Sequence, residues 1–157
     1  MVRDAPEVVV KNALQTHWDA ANTLDITPNI HHGWLDLGDD TTQVTLSNPE
    51  DSPVASDTGY TGIGPNGPTR DIAGTLQVNA WTSREHDIGA TNARQLAYHY
   101  RVEIERIISE VVPQAAGSDL QHLSYMGSQR RPHNQDEPQT PVTWRYRCVI
   151  GYGYKEL

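Results

Sequence analysis

Apolar residues recur with two different periods along this chain, and the two periods predict different elements. Between residues 93 and 111 they are spaced three, four and seven positions apart, which is typical of an amphipathic helix. Residues 72 to 81 alternate instead with a strict period of two, as in a strand with one buried face. The chain therefore combines one long helix with at least one well-defined strand.

Weaker patterns predict a second, shorter helix and four further strands. Asp4 is a favourable N-cap residue, and Pro6 follows it in what would be the first helical turn. A Gly-Asp-Asp turn at 38–40 between two apolar segments predicts a hairpin. The expected elements are a helix over Val10, Leu14 and Trp18, hairpin strands Ile30–Leu37 and Thr42–Ser47, and final strands Leu120–Met126 and Pro141–Tyr154.

Two segments between these elements have almost no apolar side chains. Residues 48–70 contain eight glycines and prolines, and residues 127–141 form a polar tongue that carries Arg130 and Arg131. Such compositions favour irregular structure, so we expect two long loops. A loop of about 20 residues within a compact domain indicates a functional or interaction segment.

The order of the elements predicts the fold class. It reads α-β-β-β-α-β-β, without an internal repeat or a second block of different composition. We therefore expect a single α+β domain over residues 1–157, with a mainly antiparallel sheet packed on one long and one short helix.

The charge balance bears on origin and on partners. The chain has 12 Lys and Arg against 20 Asp and Glu, a net charge of -8, with only two lysines and no phenylalanine. An acidic, lysine-poor surface resembles those of haloarchaeal proteins and of the viruses of haloarchaea. A negative chain repels phosphate backbones unless its basic residues cluster. No apolar run approaches the ~20 residues that cross a bilayer, so we expect no membrane contact.

No set of residues completes a catalytic or cofactor motif. His31 and His32 are adjacent on a predicted strand and would point to opposite faces, so they could not share one metal ion. Asp87 is better explained as a helix cap than as a metal ligand. Cys148 alternates inward in the last strand, as a core residue does. We expect no metal, no cofactor and no enzymatic activity.

The candidate site residues are basic and aromatic. Arg145 and Arg147 alternate with the apolar residues of the last strand, so we expect them on its opposite face. They could pair with acidic groups of the same or a neighbouring subunit, or they could contact phosphates of a passing genome. Several aromatic residues exceed what a thin core needs, and such residues are enriched at interfaces. The interface candidates are Arg130, Arg131, Arg145, Arg147, Trp81, Tyr152 and Tyr154.

This arrangement of elements resembles the lambda-type tail terminator, or tail-completion, proteins of long-tailed phages. The resemblance covers the short helix, the hairpin after Pro28, the long loop, the strand from Gly74 to Trp81, the long helix and the two final strands. It implies a virion protein that forms a hexameric ring on the tail tube, stops tube growth and meets the neck of the filled head. The partners that it implies are further copies of the chain, the tail-tube protein and a neck or head-completion protein.

Two other functions are compatible with the sequence. Another neck component, such as a head-closure or connector subunit, would have the same absence of catalytic motifs. A small intracellular ligand-binding domain or enzyme has only the histidines in its favour.

Overall fold

The computed structural model describes residues 5–36, 42–53, 62–64, 67–83, 89–111, 122–133 and 143–156. Within them two helices and six strands follow one another. A 3-10 turn at Ala20–Thr23 follows the first helix, and a π turn at Ile107–Val111 extends the second. The elements are α1 (Pro6–His17), β1 (Asn29–His32), β2 (Gln43–Pro53), β3 (Gly62–Gly64), β4 (Gly67–Ser83), α2 (Gly89–Arg106), β5 (His122–His133) and β6 (Thr143–Glu156).

The strands form one mainly antiparallel sheet. Its order is β1-β2-β4-β6-β5, and the short β3 pairs with the first residues of β4. Strands β4 and β6 are paired from Arg70 opposite Glu156 to Ser83 opposite Thr143. The predicted α+β class and element order are confirmed, with β3 as an additional short strand.

The predicted hairpin of the first two strands is wrong, because β1 and β2 are parallel, with Ile30 beside Val44. Strand β1 ends at His32, and Gly33 follows with a φ of 105° and donates its backbone N–H to the Leu46 carbonyl at 2.8 Å. The ten residues from 33 to 42 carry the chain back to the start of β2. An alternating pattern with a turn signal predicts two neighbouring strands, but it does not fix the direction in which the second one runs.

Much of the segment expected to be a loop at 48–70 is strand. Strand β2 continues to Pro53, and β4 begins at Gly67. The register shifts between Ser47 and Glu50, so Pro49 lies in a bulge, where a missing N–H donor does not break the ladder. This segment has few apolar side chains, and its strands are held by backbone hydrogen bonds to the neighbouring strands. Residues 54–61 and 65–66 of the predicted loop lie outside the described residues.

The tongue predicted at 127–141 also begins as strand. Strand β5 reaches His133 and stays paired with β6 as far as Thr143. Its register shifts between Tyr125 and Gly127, where Gly127 has a φ of 136° that favours glycine. The rest of the tongue, residues 134–141, lies outside the described residues.

Both predicted helices are present, but α1 does not begin with the predicted capping residue. Ala5, not Asp4, occupies the N-cap position of α1, and it makes no side-chain capping hydrogen bond. Pro6 begins the helix as expected, because its missing N–H is not needed in the first turn. The predicted capping residue of α2, Asp87, lies outside the described residues.

The core lies between the two helices and one face of the sheet. Alternate residues of β2, β4 and β6 point toward the helices, and α1 and α2 contribute their apolar stripes. The buried cluster comprises Val10, Leu14, Ile30, Val44, Leu46, Leu76, Val78, Ala80, Leu96, Ala97, Tyr100, Ile104, Ile107, Ile108, Tyr146, Cys148, Ile150 and Tyr152. Cys148 is a core residue, as its alternation predicts.

A buried carboxylate joins α2 to the 3-10 turn. Glu103 accepts hydrogen bonds from the Asp19 backbone N–H at 3.0 Å and from the Asn22 side chain at 2.9 Å, and it pairs with Arg106. Arg106 also donates to the His17 carbonyl at 2.9 Å. Burial raises the pKa of the Glu103 carboxyl, but these hydrogen bonds and the Arg106 charge outweigh it and hold the pKa below its usual range.

Candidate functional site

The face of the sheet that lies opposite the helices carries mainly polar side chains, and several of them, such as Thr45 and Asn79, are buried. Alternation along the strands places there the side chains that do not enter the core. From β2 to β6 they are Gln43, Thr45, Ser47, Thr75, Gln77, Asn79, Trp81, Arg145 and Arg147. The predicted separation of Arg145 and Arg147 from the apolar residues of β6 is confirmed.

Arg145 is integrated into the fold at this face. Its Nε and Nη2 atoms donate to Asn79 Oδ1 at 2.9 and 2.7 Å. Its guanidinium lies 4.5 Å from the centre of the Trp34 ring and 5.0 Å from that of Trp81, within range of cation–π attraction. Trp34 packs edge-on against Trp81 at 5.0 Å. Arg145 therefore holds the segment after β1 against the sheet.

Arg147 is more weakly held than Arg145. Its Nη2 atom donates to Gln129 Oε1 at 3.0 Å in an exposed position. Its Nε atom is buried without a hydrogen-bond partner among the described residues. The register places position 131 opposite Arg145 and position 130 opposite Tyr146. The side chains of Arg130 and Arg131 lie outside the described part of the structure, so the structure does not test the expected convergence of four arginines.

Trp81 and Tyr152 are not exposed in the single subunit, and they are buried on opposite faces of the sheet. Trp81 is 0% exposed, and its Nε1 atom donates to Thr45 Oγ1 at 2.9 Å. Tyr152 is 1% exposed and belongs to the core cluster. Tyr154 is partly exposed and stacks on Tyr152 with ring centres 6.4 Å apart. Of the three aromatic candidates, only Tyr154 keeps accessible surface.

Tyr152 and Tyr154 share one acceptor. Both hydroxyls donate to the Asp51 carboxylate, which is at 3.0 Å from Tyr154. Burial raises the pKa of the Tyr152 hydroxyl, and the neighbouring carboxylate raises it further. The proton therefore stays on the tyrosine, and the group ties β6 to β2 across Gly74 of β4.

The residues weighed as catalytic or metal-binding candidates have structural environments. His31 Nε2 lies 2.9 Å from Gln43 Oε1. Gln43 Oε1 also accepts from the Asp36 backbone N–H, and Gln43 Nε2 donates to the Asp36 carbonyl, both at 2.8 Å. Burial raises the pKa of the Cys148 thiol to about 12, so it is not a thiolate at neutral pH. Among the described residues, no group of three His, Cys, Asp or Glu side chains is placed to hold a metal ion.

Two exposed surfaces escaped the sequence analysis. The first, which we call the α2 flank, consists of Arg94, Tyr98, Arg101 and Val102. Tyr98 and Val102 are 45% and 38% exposed, although both are large apolar side chains. The Arg94 guanidinium lies 4.4 Å from the centre of the Trp144 ring, and that of Arg101 lies 5.1 Å from Tyr98. The helical spacing of these residues places them on one side, but periodicity alone does not separate a solvated side from a contact surface.

The second surface, the Leu24 knob, consists of Asp19, Leu24 and Asp25 after α1. Leu24 is 46% exposed, and it and Asp25 have left-handed backbones with φ of 54° and 59°. The Asp25 N–H donates to the Ala20 carbonyl at 2.8 Å, which closes the turn. The sequence does not mark Leu24 as a left-handed residue, because leucine rarely has a positive φ, whereas Asp25 is of a type that tolerates one.

No helix in the described part of the chain is both long and apolar enough to cross a bilayer.

The fold was compared with those of known proteins. No protein-family model matches the chain, and a search of the curated proteins finds no match. Among solved structures, a chain from the virion of a native gene transfer agent particle is similar, with a TM-score of 0.57 and 14% sequence identity. The likeness covers 97% of this chain and 96% of that one. The two chains share a fold.

Proposed function

We propose that this chain is a structural virion protein that caps the tail tube as a ring and joins the tail to the neck of the head. The observation that supports this most is the fold shared with a virion chain along almost the whole length of both chains. A fold alone does not fix a function, so the features of this chain must agree with the proposal.

The surfaces of the described residues suit assembly better than catalysis. Exposed apolar and aromatic side chains stand beside arginines on α2, and Tyr, Trp and Arg dominate the centres of protein interfaces. Among the described groups, half-buried His31 is held by Gln43 and buried Cys148 stays a thiol at neutral pH, so neither is an activated nucleophile. The proposal therefore assigns no enzymatic activity and no cofactor to the chain.

The ring would consist of six copies, with the tail-tube protein on one side and a neck or head-completion protein on the other. Arg145 and Arg147, with Arg130 and Arg131 on the neighbouring strand, would face acidic groups of an adjacent subunit or the passing viral DNA. The net charge of -8 favours acidic protein groups as their partners. The same charge and the scarcity of lysine favour a tailed virus of a haloarchaeal host, with assembly in the host cytoplasm.

A different neck component, such as a head-closure or connector subunit, is the second candidate. The fold likeness supports it as well, because the neighbour is described only as part of a virion.

Inactivation of the gene in its virus separates the two candidates. A tail terminator stops tube growth, so its loss is expected to give overlong tails that are not joined to filled heads. Tails of normal length beside heads that have lost their DNA would support the other neck role instead. Normal, infectious particles would contradict both. Electron microscopy of the lysate, with a complementing wild-type copy as the control, distinguishes these outcomes.

A further inference from the structure

We propose that neighbouring subunits meet head to tail, with the α2 flank of one copy covering the Leu24 knob of the next. The inference rests on the proposed function, since it names the lateral contact of the proposed ring. The occupant of each surface is a second copy of this chain.

Leucine is an unexpected residue at position 24, because the backbone there is left-handed. A left-handed backbone is unfavourable for a residue with a Cβ atom, and glycine would take the same backbone without that strain. The turn is nevertheless firmly built: buried Thr23 donates to the Ile26 carbonyl at 3.0 Å and accepts from Trp18 Nε1 at 3.2 Å. The fold thus holds about half of an apolar side chain in solvent on a left-handed residue, and a covering partner would bury the rest.

The α2 flank offers a matching surface. Val102 and Tyr98 are exposed one turn apart and can cover an apolar side chain of the size of Leu24. Glu105 pairs with Arg101 at 2.8 Å, but Arg94 has no acidic partner among the described residues. The flank is therefore basic, whereas the knob carries Asp19 and Asp25, so the two surfaces have complementary charge.

The two surfaces lie on different sides of α2. Two residues along a helix turn by about 200°, so Arg101 and Glu103 point to opposite sides of α2. Glu103 holds the 3-10 turn that precedes the knob, whereas Tyr98 contacts Tyr146 of β6. A contact between two different surfaces is heterologous, which is the type that closes into a ring when the rotation fits.

Leu24→Gly separates this contact from folding. Glycine relieves the left-handed strain, so the thermal midpoint of the monomer is expected to stay the same or rise. Association between copies is expected to weaken by at least tenfold, because the covered side chain is lost. Met126→Ala is the matched control, since Met126 is 61% exposed on β5 but belongs to neither surface. Sedimentation over a range of protein concentrations measures the association.

Charge reversal tests the direction of the contact. Asp25→Arg damages the knob and leaves the flank intact, whereas Arg94→Glu damages the flank and leaves the knob intact. Each variant alone is expected to be monomeric. Their equimolar mixture offers both the original charge pair and the exchanged one, so copies of the two variants should alternate and regain part of the association. A chain with both changes exchanges the two charges and should regain part of the association.

The outcomes separate this contact from the proposed function. If the wild-type protein forms a ring and both reversals and Leu24→Gly leave its mass unchanged, the contact is overturned while the ring stands. If the equimolar mixture associates no better than either variant alone while the wild-type protein forms a ring, these two surfaces do not meet. If the wild-type protein stays monomeric at every concentration, the contact and the proposed ring both fail.

Discussion

The guanidinium of Arg145 lies 4.5 Å from the centre of the Trp34 ring. A basic residue of the last strand, β6, therefore holds the segment that follows the first strand, β1. Its neighbour two positions along β6, Arg147, makes only one exposed hydrogen bond with a described side chain, to Gln129. The two arginines cannot be told apart in the sequence, since both alternate with apolar residues. The structure gives one of them a role within the subunit.

This difference predicts unequal effects of truncation. Arg145→Ala removes the ring contacts and leaves the buried Asn79 oxygen without these two donors, at an expected cost of about 2–3 kcal/mol in the free energy of unfolding. Arg147→Ala should change that free energy by less than about 0.5 kcal/mol, because it removes one exposed hydrogen bond together with a buried nitrogen that has no partner among the described residues. Urea unfolding of the two single variants measures the difference, and equal destabilisation would contradict it.

The double variant Arg145→Ala with Arg147→Ala tests the proposed outward role of the same residues. It should still fold, because neither side chain enters the core. We expect it to fail in ring assembly, or in joining tails to heads, because a contact with an acidic partner or with DNA is lost. Circular dichroism establishes folding, and complementation of a virus that lacks the gene measures joining. Normal joined particles would show that these arginines are solvated surface.

Glu103 predicts a specific loss of stability in acid. Its pKa is held below the usual 4.5, so its contribution is complete above that pH and is lost as the pH falls through the lower folded value. Glu103→Gln removes the charge that Arg106 and the 3-10 turn require, with an expected cost of about 2–3 kcal/mol at pH 7. The difference from wild type should shrink below pH 4.5. Glu105→Gln, half-exposed on the same helix, is the control, and a difference independent of pH would contradict the assignment.

Gly74 is predicted to be intolerant of a side chain. A Cβ atom there would lie 2.5 Å from the Tyr152 ring, which is held by stacking on Tyr154 and by the Asp51 carboxylate. Gly74→Ala must displace this ring, at an expected cost of about 1–3 kcal/mol. Thr75→Ala at the adjacent position of β4 serves as a control. A thermal midpoint for Gly74→Ala at or above that of the control would show that the ring moves freely.

The sequence predicts most elements of this fold because their signals are local. The period of three and four in α2 and the period of two in β4 come from burial on one side, and the structure shows both. The parallel pairing of Ile30 with Val44 depends on how residues 33–42 cross back, which no local pattern records. The strand ends in the proline-rich segment depend on pairing between distant residues, as does the bulge at Pro49.

The candidate site was less predictable than the fold for a related reason. Alternation places Arg145 on the correct face of β6, but its contact with Trp34 needs the path of a segment about a hundred residues earlier in the chain. Burial of Trp81 also depends on that segment, because Trp34 covers it. The exposed Leu24 arises from a backbone conformation that composition does not reveal.

The mass of the purified protein in solution tests the central claim most directly. Light scattering after size-exclusion chromatography, in both dilute and concentrated salt, reports whether copies of the chain associate. A ring of six copies of the 17.5 kDa chain would have a mass of about 105 kDa, and electron microscopy of that fraction should show a central opening. A protein that remains at 17.5 kDa at all concentrations and in both salts, or one whose mass rises only when a small ligand is added, would contradict the account.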